Sequence, residues 1–211
     1  MFSVSQCSLI PNYIGQLRLY SFVDLILFLV AIGADGQRLA GALVLWIGFL
    51  CFLEGKHKHK YRALIPRYLW MPFFFIGTCT FGGWGMVFFF FGVLYSEKKK
   101  SLFASIAPLF RGAQVAALAV PIVGLTPFAF LAVALTIIRN FFGDVRDAGK
   151  DVKEGTRTLP VLMGLRWNVP YIHLIAMMVT SFIWWSWAGM PVWVLFCTWT
   201  LQLSTYHLTP R

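Results

Sequence analysis

Acid is what this sequence most lacks. Only eight of its 211 residues are Asp or Glu, against 18 Lys and Arg, and charged residues of all kinds make up 12%. Soluble domains carry about twice that fraction, so the solvated shell of a soluble protein is excluded. Apolar residues reach 59%, aromatic residues 18% and mean hydropathy +0.72, which predicts a polytopic membrane protein with the bilayer as its solvent. Cysteine is sparse and dispersed: Cys7, Cys51, Cys79 and Cys197 form no C-x-x-C pair, which argues against a zinc site or a disulfide framework and leaves them as small hydrophobes. Histidine is equally scarce. His57 and His59 stand between Lys56, Lys58 and Lys60, whose ammonium groups oppose a divalent metal, so that stretch reads as a solvated basic loop. His173 and His207 are single histidines in apolar stretches, read as interhelical hydrogen-bond partners, with a pigment or haem ligand as the alternative. No internal repeat is visible and few polar groups lie in the apolar stretches, which places a transporter behind the other readings.

What is present is a succession of apolar segments, near 17–34, 39–53, 68–80, 81–96, 102–123, 125–142, 168–188 and 190–207. A span needs about 20 apolar residues, so the expectation is one all-α domain over 1–211, a transmembrane bundle of about eight spans around a central cavity. Several segments are short. Gly82, Gly83 and Gly85 mark a tight turn or a break between the third and fourth, or a bend in one long helix. The first apolar segment has no basic stretch at its start and is expected to be a retained span, not a removed signal peptide. Arg18, the 56–67 loop, the 98–100 run and the 146–166 loop fall on alternate connections, with Arg38 almost alone on the others. The positive-inside rule then puts both termini and the charged loops on the cytoplasmic side of an inner, plasma or organellar membrane. The net charge of +10 is accounted for by loops lying on anionic headgroups, and nucleic acid is not an expected partner. Asp24, Arg111 and Arg139 fall within apolar segments, so they are expected to face the interior. For Asp24 and Arg139 an interhelical ion pair competes with a substrate contact.

Half of the scarce acid sits in one place. Asp144, Asp147, Asp151 and Glu154 lie within the run Gly143 to Gly155. On a helix they fall at roughly 0°, 300°, 340° and 280°, one face of about 80°. Between Asp144 and Arg157, six of the i,i+3 and i,i+4 charge pairs are like-signed and three opposite, an order that disfavours a plain salt-bridged face. Oxygen-only ligands suit Mg²⁺, which takes one or two carboxylates, keeps waters and bridges to phosphates. Asp144, Asp147 and Asp151 are therefore the candidate metal ligands. The other face carries Arg146, Lys150, Lys153 and Arg157, candidates for a diphosphate or lipid phosphates. The competing reading is a charged loop at a membrane surface, its helix weakened by Gly143, Gly149 and Gly155.

Asp144-x-x-Asp147-x-x-x-Asp151, followed by Gly155-x-x-Thr158-Leu159-Pro160-Val161-x-x-Gly164, resembles over about twenty residues the second aspartate-rich motif of the UbiA superfamily of intramembrane prenyltransferases. Tyr95-Ser96-Glu97-Lys98-Lys99 is similar to the signature that ends that family's fourth helix. The resemblance implies a bundle with a lipid-open cavity, Mg²⁺, a polyprenyl diphosphate, and transfer of the prenyl group to an aromatic or tetrapyrrole acceptor. The departure is at the family's first motif. Here the chain reads Phe52-Leu53-Glu54-Gly55-Lys56-His57-Lys58-His59-Lys60-Tyr61-Arg62, with Glu54 the one carboxylate left, although Arg62-Ala63-Leu64-Ile65-Pro66 is similar to the basic, proline-bearing sequence on the C-terminal side of that motif. The family also usually has nine helices. Metal clamps on a diphosphate leaving group supply several kcal/mol, so losing one motif costs orders of magnitude in rate unless Lys56, Lys58 and Lys60 replace the metal as phosphate-binding charges. Two function classes are open: a divergent prenyltransferase using an isoprenoid diphosphate, and a non-catalytic relative that serves as a subunit of a larger membrane complex and lines a quinone, carotenoid or chlorophyll-type site. In the second class the aspartates are free to pair with lysines of the 56–60 loop. The runs Phe73-Phe74-Phe75, Phe88-Phe89-Phe90-Phe91 and Trp184-Trp185-x-Trp187 are ordinary interfacial aromatics or docking faces for other helices or pigments.

Overall fold

Helix punctuation in the sequence is reproduced in the structure, a computed structural model that describes residues 15, 17–56, 66, 68–98 and 103–208. The described residues form nine α-helices and no strand. They are α1 (Leu19–Ala31), α2 (Gly36–Lys56), α3 (Trp70–Phe81), α4 (Gly83–Ser96), α5 (Ala107–Val123), α6 (Pro127–Lys153), α7 (Leu159–Leu162), α8 (Ile172–Trp187) and α9 (Val192–Tyr206). Prolines stand in the first turn of α5, α6 and α7, where a missing N–H costs nothing. Gly124, at φ 70°, stops α5. Gly82, at φ 56° and ψ −133°, divides α3 from α4, so the glycine-rich stretch is a break between two helices and not a bend in one.

Eight of these helices coincide with the eight apolar stretches of the sequence. By length and composition two of them, α2 with 21 residues and α6 with 27, are sufficient to cross a membrane; α1, α3, α4, α5 and α8 are apolar but shorter. The all-helical class is therefore observed, while eight full spans are not.

Helices α1, α2, α4, α5, α6 and α8 close a ring by successive contacts; α3 packs outside on α2 and α4, and α9 outside on α8 and α1. The ring is filled. Leu25 and Phe28 of α1, Trp46 and Phe49 of α2, Phe88 of α4, Leu118 of α5, Ala132 of α6 and Trp184 of α8 belong to one buried cluster. Among the described residues, a cavity of about 20 Å³ lies where Asp24, Trp46, Thr136, Arg139, Thr180 and Trp184 meet. That is room for one water molecule, not for a prenyl chain. Small residues let the walls close this far. A Cβ placed on Gly92 of α4 would lie 2.6 Å from Gln114 Nε2 and 2.8 Å from Phe49 Cδ2.

Several buried polar groups are matched across helices. Asp24 of α1 pairs with Arg139 of α6 and accepts hydrogen bonds from Thr180 (3.3 Å) and Ser181 (3.1 Å) of α8; Gln202 of α9 donates to Ser181 (2.6 Å). The ion-pair alternative for Asp24 and Arg139 is the one observed. Arg111 of α5 is held differently. Its guanidinium carbon lies 4.4 Å from the Trp46 ring centre, 4.7 Å from Phe49 and 5.2 Å from Tyr95, and it donates to Gln114, which in turn donates to Phe88 O (3.1 Å). Substituting Gly92 by Val forces Gln114 and Phe49 aside and is expected to destabilise the protein by about 1–3 kcal/mol. A thermal-unfolding midpoint equal to wild type would show that this contact yields freely.

Candidate functional site

Contacts between Arg18 and Glu54, Lys56 and Glu97, Lys98 and Asp144, and Arg146 with His173 and Tyr206 bring the start of α1, the start of α8 and the ends of α2, α4, α6 and α9 together at one end of the bundle. Charge concentrates there. α6 continues unbroken from its apolar half through the whole acidic run to Lys153. Gly143 and Gly149 do not break it. They make room for neighbours: a Cβ on Gly143 would meet the His173 ring at 3.5 Å, and one on Gly149 would lie 2.9 Å from the backbone N of Asn168. Asn168 Oδ1 accepts the Lys150 backbone N–H at 3.1 Å, tying the returning chain to the helix.

Helix geometry puts Asp144, Asp147 and Asp151 on one face, as their spacing predicts. Their side chains are answered separately. Asp144 pairs with Lys98 at 3.3 Å. Asp147 receives both arms of the Arg146 guanidinium, one at 2.8 Å. Arg146 also donates to Tyr206 Oη (3.1 Å) and lies 3.1 Å from His173 Nδ1. Asp151 accepts the Thr158 hydroxyl at 3.1 Å. These pairings answer a specific electrostatic cost: carboxylates near a helix C-terminus face the negative end of its dipole. Two further pairs continue the pattern across the same end: Arg18 with Glu54 at 3.8 Å, and Lys56 with Glu97, where Lys56 also donates to Ser96 at 2.8 Å.

This arrangement changes the expected donor set. Among the described residues no group of three or more His, Cys, Asp and Glu side chains is placed to hold a metal ion. The oxygen donors are of the right chemistry for Mg²⁺, and in this arrangement they meet Lys98, Arg146 and Thr158. Among the proposed diphosphate ligands, Arg146 is engaged by Asp147, and Lys150 lies 3.9 Å from Glu154. Lys56 reaches the end of α4, one ion pair away from the aspartates, and Lys58 and Lys60 lie outside the described residues. The lysine that does meet the acidic face is Lys98. Its position in the Tyr95-to-Lys99 stretch was the available signal; what the spacing did not reveal is that its partner is Asp144. His173 and Tyr206 were also not assigned to this end.

The environments of the carboxylates differ. Burial pushes the Asp151 carboxyl up to about 6, with Asp144 and Asp147 adding to the rise while Lys98 and the Thr158 hydroxyl oppose it. Burial likewise raises Asp144, against the pull of Lys98. At Asp147 burial acts upward too, but the hydrogen bonds and charge of Arg146 outweigh it and leave the group below the usual range.

Comparison with protein-family models, with curated proteins and with solved structures returns no match to this chain.

The geometry has two measurable outcomes. Asp144 is 5% exposed, so Lys98→Ala leaves a buried carboxylate without its cation and is expected to cost on the order of 2 kcal/mol, in the presence or absence of a chelator. Thermal unfolding with EDTA and with added Mg²⁺ checks this, and a loss seen only with Mg²⁺ would contradict it. For Asp151 the folded state binds its proton more tightly than the unfolded chain, whose carboxyl titrates near 3.8. Its contribution is therefore full below about pH 4, falls as pH rises towards 6, and is flat above. Asp151→Asn is expected to remove that fall from a profile of unfolding midpoint against pH.

Proposed function

We propose that the protein is an integral membrane bundle of UbiA-like type in which the acidic helix serves as an internal ion-pair frame, and that it acts as a non-catalytic subunit of a larger membrane complex. The observation that carries this reading is the separate engagement of the three aspartates by Lys98, Arg146 and Thr158, above a bundle whose inner cavity holds about 20 Å³. A prenyl diphosphate needs both a cation clamp and an apolar tunnel, and among the described residues the three aspartates are engaged by the protein's own side chains.

The membrane part of the proposal is supported by the apolar faces outside the ring. Phe75 (70% exposed), Met86 (63%) and Phe90 (58%) of α3 and α4, and Trp193 (66%) and Phe196 (60%) of α9, are apolar surface of the kind that lipid or partner helices cover. Lipid, partner helices or a flat quinone or chlorophyll-type pigment would meet these outer faces and not the bundle centre. The exposed cations Lys153, Arg157 and Arg166 lie at the polar end, which the positive-inside rule assigns to the cytoplasmic side.

A second reading, the divergent Mg²⁺-dependent prenyltransferase, is favoured by one observation: the three aspartates do share a face on a continuous helix, with Arg146 and Lys150 beside them. It requires Lys98 and Arg146 to exchange carboxylate for diphosphate and the helices around Asp24 and Arg139 to part.

Binding of a geranylgeranyl diphosphate analogue to the detergent-purified chain, with and without Mg²⁺, decides between them. The subunit reading expects no saturable Mg²⁺-dependent binding, together with co-purification of stoichiometric membrane proteins in mild detergent. Saturable binding that is lost in Asp144→Ala/Asp147→Ala would overturn it in favour of the enzyme.

A further inference from the structure

Beside the acidic face, at about 100° around α6, runs a second stripe: Phe141, Val145 and Gly149, each one turn from the last. Phe141 and Val145 form the floor of a groove of about 330 Å³, and Pro160, Met163, Leu165 and Trp167 form its wall. That volume is at the lower end of what ligand clefts offer, about 300–1,000 Å³. The wall is held by Gly149. Without a side chain there, residues 167 and 168 come within 3.1 Å of where a Cβ would stand, and Asn168 is tied to the Lys150 N–H. The groove is thus a built feature of the chain returning from α7.

Cations stand near the groove. Arg166 is exposed and lies in sequence between two wall residues, Leu165 and Trp167; Lys153 is exposed at the end of α6 and Arg157 on the loop that leads into the wall. The acids nearby are otherwise engaged. Asp144 and Asp151 are buried against Lys98 and Thr158, Asp147 is held by Arg146, and Glu154 lies 3.9 Å from Lys150. An apolar slot at the end of a long apolar helix, with a tryptophan 64% exposed in its wall and an exposed arginine next to that tryptophan in sequence, matches a ligand with an alkyl chain and an anionic head.

We infer that this groove binds one anionic phospholipid, with an acyl chain along Val145 and Phe141 and the phosphodiester on Arg166, seconded by Arg157 and Lys153. Charge complementarity selects this occupant over a zwitterionic lipid or an apolar partner helix: neither would answer three exposed cations. The inference rests on the membrane reading above. An arginine at the rim gives two parallel N–H donors to the phosphate oxygens, which a lysine does not.

The test is native mass spectrometry of the delipidated full chain, titrated with equal amounts of phosphatidylglycerol and phosphatidylcholine. One phosphatidylglycerol is expected to be retained in preference. Arg166→Gln, at an exposed position, is expected to lower that preference about fivefold with unchanged helical circular dichroism. Val145→Trp, which fills the slot, is expected to abolish retention of either lipid at this site. Equal retention of the two lipids by wild type, an unchanged preference in both variants, or a polypeptide held in the groove in place of lipid would each overturn the assignment. Alkaline carbonate extraction of membranes separates its failure from that of the membrane reading. A chain released by carbonate sinks both, whereas a chain that stays with the membrane but shows no lipid preference sinks the groove assignment alone.

Discussion

A charge buried in an apolar bundle must be answered from another segment of the chain, and that demand organises this molecule. Asp24 takes Arg139 from α6 and hydroxyls from Thr180 and Ser181, so one carboxylate fastens α1, α6 and α8 together, and Gln202 extends the network to α9. Leaving either member of such a pair alone costs several kcal/mol. With so few acidic residues in the chain, the possible solutions are few. The ring of helices that results is the one in which the buried acids find their partners.

The same rule governs the polar end. Three carboxylates on one face of α6 repel one another, Asp151 in the last turn also meets the negative end of the helix dipole, and a metal ion is one way to relieve that. In this structure the relief comes from the protein itself, through Lys98, Arg146 and Thr158. The dense apolar centre acts in the same direction. Trp46, Phe49 and Phe88 fill the space between the helices, and Arg111 lies across two of these rings with Gln114 as its hydrogen-bond partner. A bundle closed in this way offers its apolar surfaces outward, on α3, α4 and α9, and in the groove beside α7.

Helix positions were legible because their signals are local. Apolar runs, first-turn prolines and the glycines at 82 and 124 mark ends that the structure reproduces. Gly143 and Gly149 were misleading for the opposite reason. Read locally they weaken a helix, but Gly149 answers a distant segment, the backbone at Asn168, which comes within 2.9 Å of where a Cβ would stand, while Gly143 lies at ordinary contact distance from the His173 ring.

Helicity, apolar character and the shared face of Asp144, Asp147 and Asp151 follow from the residues alone, since a rotation of about 100° per residue needs no knowledge of the fold. What each carboxylate meets depends on how the helices assemble. Lys98 lies 46 residues from Asp144, and Ser181 lies 157 from Asp24. Which of several lysines reaches an aspartate depends on which helix ends become neighbours, and that is set by packing across the whole ring, where periodicity carries no information.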